Sequence, residues 1–162
     1  GSLTHRAFAS PTGLNSVQDL NQPETLARGY ASMGGVGSAR ALAALYAMLA
    51  NGGWWRGHKL VSDWILQALQ NTYTQQEDAV LCTPIVFGAG MMRDPVDEFG
   101  DKIHRLFGTD MSAFGHPGAG GSLAFADPGR NLSFAYVMNQ MELGALPNEK
   151  TLSLVDAVDG VV

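Results

Sequence analysis

The sequence predicts an α+β fold, an antiparallel β-sheet flanked by helices, from three patterns along the chain. Apolar residues recur at helical spacing after Ser38, three short apolar segments follow one another between residues 113 and 139, and a second helical stripe follows Asn148. Short strands at such close spacing are typical of an antiparallel meander. We therefore expect helices first, then a sheet, and then a closing helix.

The first part of the chain, up to Gly37, shows little hydrophobic periodicity. It is interrupted by turn-forming residues at Pro11, Gly13, Pro23, Gly29 and the run Gly34-Gly35-Val36-Gly37. Glycine and proline at this density favour a loop, so we expect no more than a short helical turn before residue 38.

The helix after Ser38 has the clearest local pattern in the sequence. Its apolar side chains recur every three or four residues, at Ala39, Leu42, Leu45, Tyr46 and Leu49. Ser38 carries the hydroxyl that an N-cap needs, and Asn51-Gly52-Gly53 supplies residues that commonly end a helix.

A second helix is expected after a turn formed by residues 54–59. Ser62 is its candidate N-cap, and Val61 with Leu66 fits a hydrophobic staple around that cap. The pattern fades by Asn71. Its predicted buried side chains are Ile65, Ala68 and Leu69.

The second half of the chain predicts strands. Residues 72–83 are polar and irregular and predict a loop, whereas residues 85–92 predict a strand with small residues on one face. A polar loop is expected over residues 93–102.

The meander is expected to follow, with strands at residues 113–118, 122–126 and 132–139. Asp127-Pro128-Gly129-Arg130 fits a type II turn between the last two. Residues 132–138 are apolar on nearly both faces, which predicts a strand inside a sheet that is covered on each side. The final helix, after Asn148, has a stripe at Leu152, Val155 and Val158.

Composition excludes several classes of protein. The 162 residues carry a formal net charge of −5, with 46% hydrophobic and only 15% charged residues. The apolar content excludes a disordered tail, and the acidic balance argues against a nucleic acid or an acidic membrane as partner. No apolar run reaches the roughly 18–20 residues of a membrane span. The scarcity of charge, against about a quarter in typical domains, suggests that another surface normally covers part of this one.

Cysteine and histidine usage predicts neither a metal site nor a cofactor. The single Cys82 excludes an internal disulfide and a cysteine-based zinc site, and the four histidines lack the pairwise spacing of metal ligands. Residues 1–6 have no apolar core of a secretion signal, which favours the cytoplasm without settling the compartment. The start at Gly1 looks like a cut point or a tag remnant.

Residues 114–122, Phe-Gly-His-Pro-Gly-Ala-Gly-Gly-Ser, form the most unusual segment. Four glycines in the eight residues from Gly115 are costly in a strand, and glycines concentrate where the backbone approaches a ligand or another chain closely. His116 could donate a hydrogen bond there, and neighbouring N–H groups could hold an oxyanion. The alternative is a glycine-rich bulge with one half-exposed histidine, and composition alone leaves both open.

The chain resembles the serine β-lactamase-like family, which contains class C β-lactamases, D-alanyl-D-alanine carboxypeptidases and related esterases. Residues 37–46 with 49–53 resemble a helix of that family, and residues 134–139 resemble a strand. Residues 114–128 resemble its third motif, in which esterase-like members replace Lys-Thr-Gly by His-x-Gly. The resemblance implies the C-terminal part of the β-lactamase/transpeptidase-like fold, with residues 1–162 forming a single partial domain.

The resemblance also assigns roles to residues of the glycine-rich segment. His116 and Gly118 would line the substrate strand, with His116 contacting the substrate carboxylate or leaving group. The backbone N–H of Ala119 would be one arm of the oxyanion hole. However, no serine of this chain has lysine three residues later, and Tyr30-Ala31-Ser32 is only distantly similar to the second motif of the family.

The expected function is therefore that of a C-terminal fragment, or a truncated form, of a serine hydrolase that is inactive alone. Its partner would be a complementing N-terminal half. The alternative is a non-catalytic module for oligomerisation or ligand binding, with a second copy as partner. A self-sufficient hydrolase using Ser122 and His116 is the least favoured, because no third orienting group is evident.

Overall fold

The computed structural model describes residues 1–10, 13, 16–28, 30 and 34–161. Its residues group into two compact units, one formed by residues 1–37 with 78–83 and the other by residues 38–77 with 84–162. None of the helices in the described part of the chain is long and apolar enough to cross a membrane.

The first unit contains three short helices where the sequence predicts a loop. They are α1 (Leu3–Phe8), α2 (Val17–Leu20) and α3 (Pro23–Arg28). The prediction was wrong because α1 and α3 bury no side chain and so carry no hydrophobic period. Capping marks them instead, with the Ser2 hydroxyl accepting the His5 N–H in α1 and proline at the first position of α3. Pro11 and Gly29 lie outside the described residues.

Helix α4 (Ala39–Ala50) confirms the clearest sequence prediction. The Ser38 hydroxyl accepts the Ala41 N–H at 3.2 Å, and the helix ends at Asn51. Gly52 and Gly53 follow with φ of +63° and +80°, a region that favours glycine.

The predicted turn over residues 54–59 is a two-stranded hairpin, β1 (Trp54–Trp55) and β2 (His58–Lys59). Arg56 and Gly57 connect the strands with φ of +49° and +82°. Positive φ at both central residues is the signature of a type I′ turn, whose twist matches that of the paired strands.

Helix α5 (Asp63–Gln70) begins after Ser62 as predicted, but the Ser62 hydroxyl makes no capping bond. The predicted buried stripe was wrong at one position, since Ile65 is 38% exposed while Leu66 is buried. Leu66 and its neighbour Leu69 pack in the core cluster with α4, and that contact sets the rotation of the helix.

A six-stranded antiparallel sheet forms the rest of the second unit, with its strands in chain order. They are β3 (Thr74–Glu77), β4 (Pro84–Phe87), β5 (Met92–Arg93), β6 (Phe114–Gly118), β7 (Ser122–Asp127) and β8 (Leu132–Tyr136). The meander β6–β7–β8 confirms the sequence prediction.

Strands β3 to β5 differ from the sequence prediction. The loop predicted at 72–83 contains β3, an edge strand whose four side chains are all exposed, so no alternation of polar and apolar residues marks it. The single strand predicted at 85–92 is two strands separated by a turn at Gly88–Gly90. At Gly88 a side chain would run into the Leu69 and Asn71 carbonyls, and Gly90 has φ of +80°.

The core lies on both faces of β7. Phe114, Ala124 and Ala126 face α4 and α5, whereas the Phe125 ring stacks between Phe107 and Phe134, with centroids 5.5 and 5.4 Å away. Strand β8 was predicted inside the sheet but lies at its edge, and all five of its residues are half-buried.

The turn after β7 is also not the predicted type II turn. Positive φ occurs at Asn131 rather than at Gly129, where a type II turn requires it. Side chains fix the turn instead, because the Ser112 hydroxyl accepts the Gly129 N–H at 2.8 Å and Asp127 accepts the Arg130 N–H at 3.2 Å.

Helix α6 (Glu149–Asp159) closes the unit as predicted, with the Asn148 side chain accepting the Thr151 N–H at 2.9 Å. Val155 is fully buried, while the predicted neighbours Leu152 and Val158 are half-buried. The architecture is α+β, an antiparallel sheet flanked by helices.

Candidate functional site

The site predicted from sequence lies on the second half of β6. There the backbone edge of His116–Gly118 that faces away from β7 has no partner strand in the described residues, and we call it the free margin. β5 pairs with β6 only at Met92 and Gly115, so His116–Gly118 has a partner strand only in β7 within the described part of the chain. Pro117 lacks a backbone N–H, which suits an incompletely paired strand. A ligand can therefore approach this backbone from the side.

His116 is exposed on this margin. Its Nδ1 lies 2.6 Å from the Pro117 carbonyl oxygen, and because a carbonyl can only accept, Nδ1 carries the proton. In the neutral form of the ring, the lone pair is then on Nε2. The Phe87 ring lies 6.2 Å away, centroid to centroid, beside the imidazole.

The register of β6 and β7 places two predicted site residues and the two β7 residues opposite them on one face of the sheet. His116 is opposite Ala124, and Gly118 is opposite Ser122, so all four face the α4 side. Ser122 is thus diagonal to His116, but no hydrogen bond joins them among the described residues. A side chain at Gly118 would run into the Ser122 hydroxyl, which explains the glycine.

Ala119 begins the turn between β6 and β7. It is exposed, and its N–H has no backbone hydrogen-bond partner within the ranges that the structure describes. Gly120 and Gly121 complete the turn with φ of +90° and +110°, and the Gly121 N–H donates to Gly118 at 3.1 Å. The turn therefore presents one unpaired donor at the end of the free margin.

Two later segments hold this turn in place. The Gly120 N–H donates to Gly144 at 2.9 Å, and the Glu142 N–H donates back to Gly120 at 3.0 Å. The fully buried Thr151 hydroxyl donates to the Gly121 carbonyl at 2.6 Å. Sequence reasoning missed these contacts because they join residues more than twenty positions apart, and only the Asn148 cap gave a signal for that region.

A separate ionic network lies at the other end of β7, away from Ser122. The fully buried Asp127 accepts from Arg130 Nε at 2.7 Å and from the Ser112 hydroxyl at 3.2 Å. Arg130 also pairs with Asp159 at 2.8 Å. Hydrogen bonds from Ser112 lower the pKa of the Asp110 carboxyl next to this network. Every charged group in it has a partner, so it holds the β7–β8 turn against α6.

The remaining candidates from the sequence are a metal site, Cys82 and the second family motif. No group of three His, Cys, Asp or Glu residues in the described ranges could hold a metal ion. Cys82 is an exposed free thiol. The segment Tyr30-Ala31-Ser32, which is distantly similar to the second family motif, lies partly outside the described residues, since only Tyr30 is described.

Known proteins match this chain over most of its length. The sequence model of the Beta-lactamase family matches residues 4–158. Esterase/beta-lactamase LipL of Mycobacterium tuberculosis is 34% identical over 108 residues, which are 66% of this chain and 23% of LipL.

Solved structures of related proteins are also similar to this chain. A penicillin-binding protein homologue from Caulobacter crescentus is 35% identical with a TM-score of 0.67, over 75% of this chain and 31% of that protein. EstA from Arthrobacter nitroguajacolicus is 29% identical with a TM-score of 0.70, over 88% of this chain and 36% of EstA. A family VIII carboxylesterase is 28% identical with a TM-score of 0.66, over 75% of this chain and 31% of the esterase.

The chain thus spans between 23% and 36% of the length of these relatives. The family match covers nearly all of it, and the architecture is that of its β-lactamase-fold neighbours. This chain belongs to the beta-lactamase family.

Proposed function

We propose that this chain supplies the substrate-binding strand of a β-lactamase-like serine hydrolase and lacks the nucleophile. The observation that carries the proposal is the free margin His116–Gly118, which ends at the Ala119 N–H, a donor without a partner among the described residues. An extended substrate can lie along such a margin, and the N–H can stabilise negative charge on its carbonyl oxygen.

His116 and Gly118 have distinct parts in this proposal. The imidazole is exposed, and in its neutral form Nε2 can accept a hydrogen bond from a substrate or a leaving group. Gly118 has no side chain at the point where the Ser122 hydroxyl approaches the strand, so no side chain at this position obstructs the free margin.

The missing groups limit the chemistry. Acyl transfer needs an activated nucleophile and more than one oxyanion donor, and no serine here has lysine three residues on. We therefore propose that the chain is silent alone, and that the nucleophile and the second donor come from a complementing N-terminal half. The names of the relatives favour an ester or a lactam amide as substrate.

Turnover assays with nitrocefin and p-nitrophenyl esters test this proposal. We expect no activity above background from the purified chain and none from His116→Ala. Steady turnover that His116→Ala abolishes, in preparations of equal purity, contradicts the proposal and supports a self-sufficient site using Ser122 and His116.

The second candidate is a non-catalytic module that pairs with another copy of itself. The observation that favours it is the open edge of the sheet at β8, which carries Leu132, Phe134 and Tyr136, whereas the opposite edge β3 is polar and exposed. An apolar edge strand is a template for pairing with another chain. Light scattering over a range of concentrations decides it, since a discrete dimer supports this function and a monomer rules it out.

A further inference from the structure

A methionine side chain packs over the turn between β6 and β7. A Cβ atom added at Gly120 would lie 2.7 to 2.8 Å from Cε, Cβ and Cγ of Met141, so this side chain curls over the glycine. Gly120 is buried although it lies in a turn, and Met141 is 45% exposed. Met141 therefore covers the turn while part of the residue stays in contact with solvent.

The backbone that follows Met141 is bonded to the same glycine. The Gly120 N–H donates to the Gly144 carbonyl, and the Gly120 carbonyl accepts the Glu142 N–H. The Glu142 carboxylate also pairs with Lys150 in the first turn of α6. Hydrogen bonds that are covered by apolar groups open to water less often than exposed ones. The cover by Met141 therefore protects both backbone bonds of Gly120.

Met141 is one of two methionines that are exposed in the described part of the chain. The other is Met111, which is exposed by 48% and precedes β6, at the opposite end of that strand from the turn. The remaining described methionines are buried or half-buried, namely Met48, Met91, Met92 and Met138. Oxidation of methionine converts a flexible apolar side chain into a polar one and disrupts its packing. An oxidant can reach both exposed thioethers, but only at Met141 does the product alter a contact of the turn.

We propose that Met141 is an oxidation site and that its sulfoxide loosens the turn between β6 and β7. Hydrogen peroxide transfers one oxygen to Sδ, so that the O–O bond breaks, an S–O bond forms, the sulfur loses two electrons and the peroxide is reduced to water. A sulfoxide oxygen is costly to bury without a hydrogen bond, so the side chain leaves its apolar contact with Gly120. The two backbone bonds of Gly120 then open more often.

The turn that is loosened carries the Ala119 N–H, because Ala119 directly precedes Gly120. In the oxidised chain this N–H is held less firmly, and a donor that is not held in place stabilises an oxyanion less well. That consequence for substrate binding rests on the proposed function. The oxidation and the loosening are measured without a substrate, so they succeed or fail independently of it.

Peroxide treatment of the purified chain tests the proposal. Peptide mass spectrometry identifies the oxidised methionines, and amide exchange followed by two-dimensional NMR reports on the turn. We expect oxidation at Met141 and Met111 ahead of the other methionines, and exchange about fivefold or more faster at Gly120 and Glu142. The amides of α4 should be unaffected. Reduction by methionine sulfoxide reductases should restore the slow exchange.

Two variants assign the effect to one sulfur. Met141→Leu removes the thioether and keeps an apolar side chain of similar size, so peroxide should no longer accelerate exchange at Gly120. Met111→Leu is the matched control, because it makes the same substitution at a methionine of similar exposure away from the turn. It should respond to peroxide as the parent does.

Three results overturn the proposal. They are unchanged exchange at Gly120 once Met141 is oxidised, an acceleration that persists in Met141→Leu, and an acceleration that disappears in Met111→Leu. The last result would assign the effect to Met111, at the other end of β6.

Discussion

Two histidines differ in the surroundings of their imidazole rings, and this decides what each can do. His116 is exposed and has one nitrogen on the Pro117 carbonyl. His104 has its Nε2 buried without a hydrogen-bond partner among the described residues, within electrostatic reach of Asp94. His116 is available to a ligand, whereas the buried nitrogen of His104 weakens the fold.

The environment of His104 predicts a pH dependence of stability. Burial lowers the pKa of His104, and the charge of Asp94 opposes that shift. Because the unfolded chain then takes up the proton first, this contribution to stability is complete above the unfolded pKa of about 6.5 and is lost as the pH falls towards the folded value. The thermal midpoint, followed by circular dichroism, should fall over this range.

His104→Phe should reduce that fall, since it removes both the titration and the unpaired nitrogen. Above pH 7 the variant should be at least as stable as the parent, because a buried polar atom without a partner is replaced by an apolar one. An unchanged slope between about pH 7 and about pH 5 in His104→Phe contradicts the prediction.

The residues of the candidate site could be predicted from sequence only where they are adjacent in the chain. His116, Gly118 and Ala119 belong to one unusual segment, and the structure places them together on β6 and its turn, while their roles stay predictions. Thr151 and Gly144 could not be found, because their contacts with the turn form only after the chain has folded back.

At the scale of elements, the turn between β6 and β7 depends on helix α6. Thr151 is completely buried, and its hydroxyl donates to the Gly121 carbonyl at 2.6 Å. Thr151→Val keeps the shape and removes the donor, so we expect a loss of about 1–3 kcal/mol in the free energy of unfolding, measured with urea. Amide exchange at Gly120 and Gly121 should increase as well, because their hydrogen-bonded N–H groups lie in the turn that loses an anchor.

Thr151→Ser is the control for this prediction. It keeps the hydroxyl and loses only a methyl group, so the exchange rates in the turn should stay close to those of the parent. If Thr151→Ser and Thr151→Val have equal effects, packing rather than the hydrogen bond holds the turn.

Elements with a buried face and a cap were predictable, whereas elements without them were not. Helices α4 and α6 carry both signals, and β6–β7–β8 carries apolar runs that are separated by turn residues. Strand β3 has four exposed polar side chains, so its pairing with β4 left no trace in the hydropathy. Strand β8 was predicted inside the sheet because its apolar content does not reveal whether a strand lies on each side of it.

At the scale of the whole molecule, the apolar core is distributed unevenly along the chain. Every buried hydrophobic side chain in the described ranges lies between Tyr46 and Val155. The described residues before Gly37 are exposed or half-buried. We therefore expect residues 38–162 to carry almost all of the stability of the chain, while the single domain over residues 1–162 stays a prediction.

This distribution predicts that a chain of residues 38–162 folds alone. It keeps Ser38 as the cap of α4, both halves of the core around β7, and the ion pairs of Arg130. We expect one cooperative urea transition and a free energy of unfolding within about 1 kcal/mol of that of the full chain, the scale of surface changes. A broad transition, or a loss of several kcal/mol, shows instead that residues 1–37 are part of the cooperative fold and that the chain unfolds as one unit.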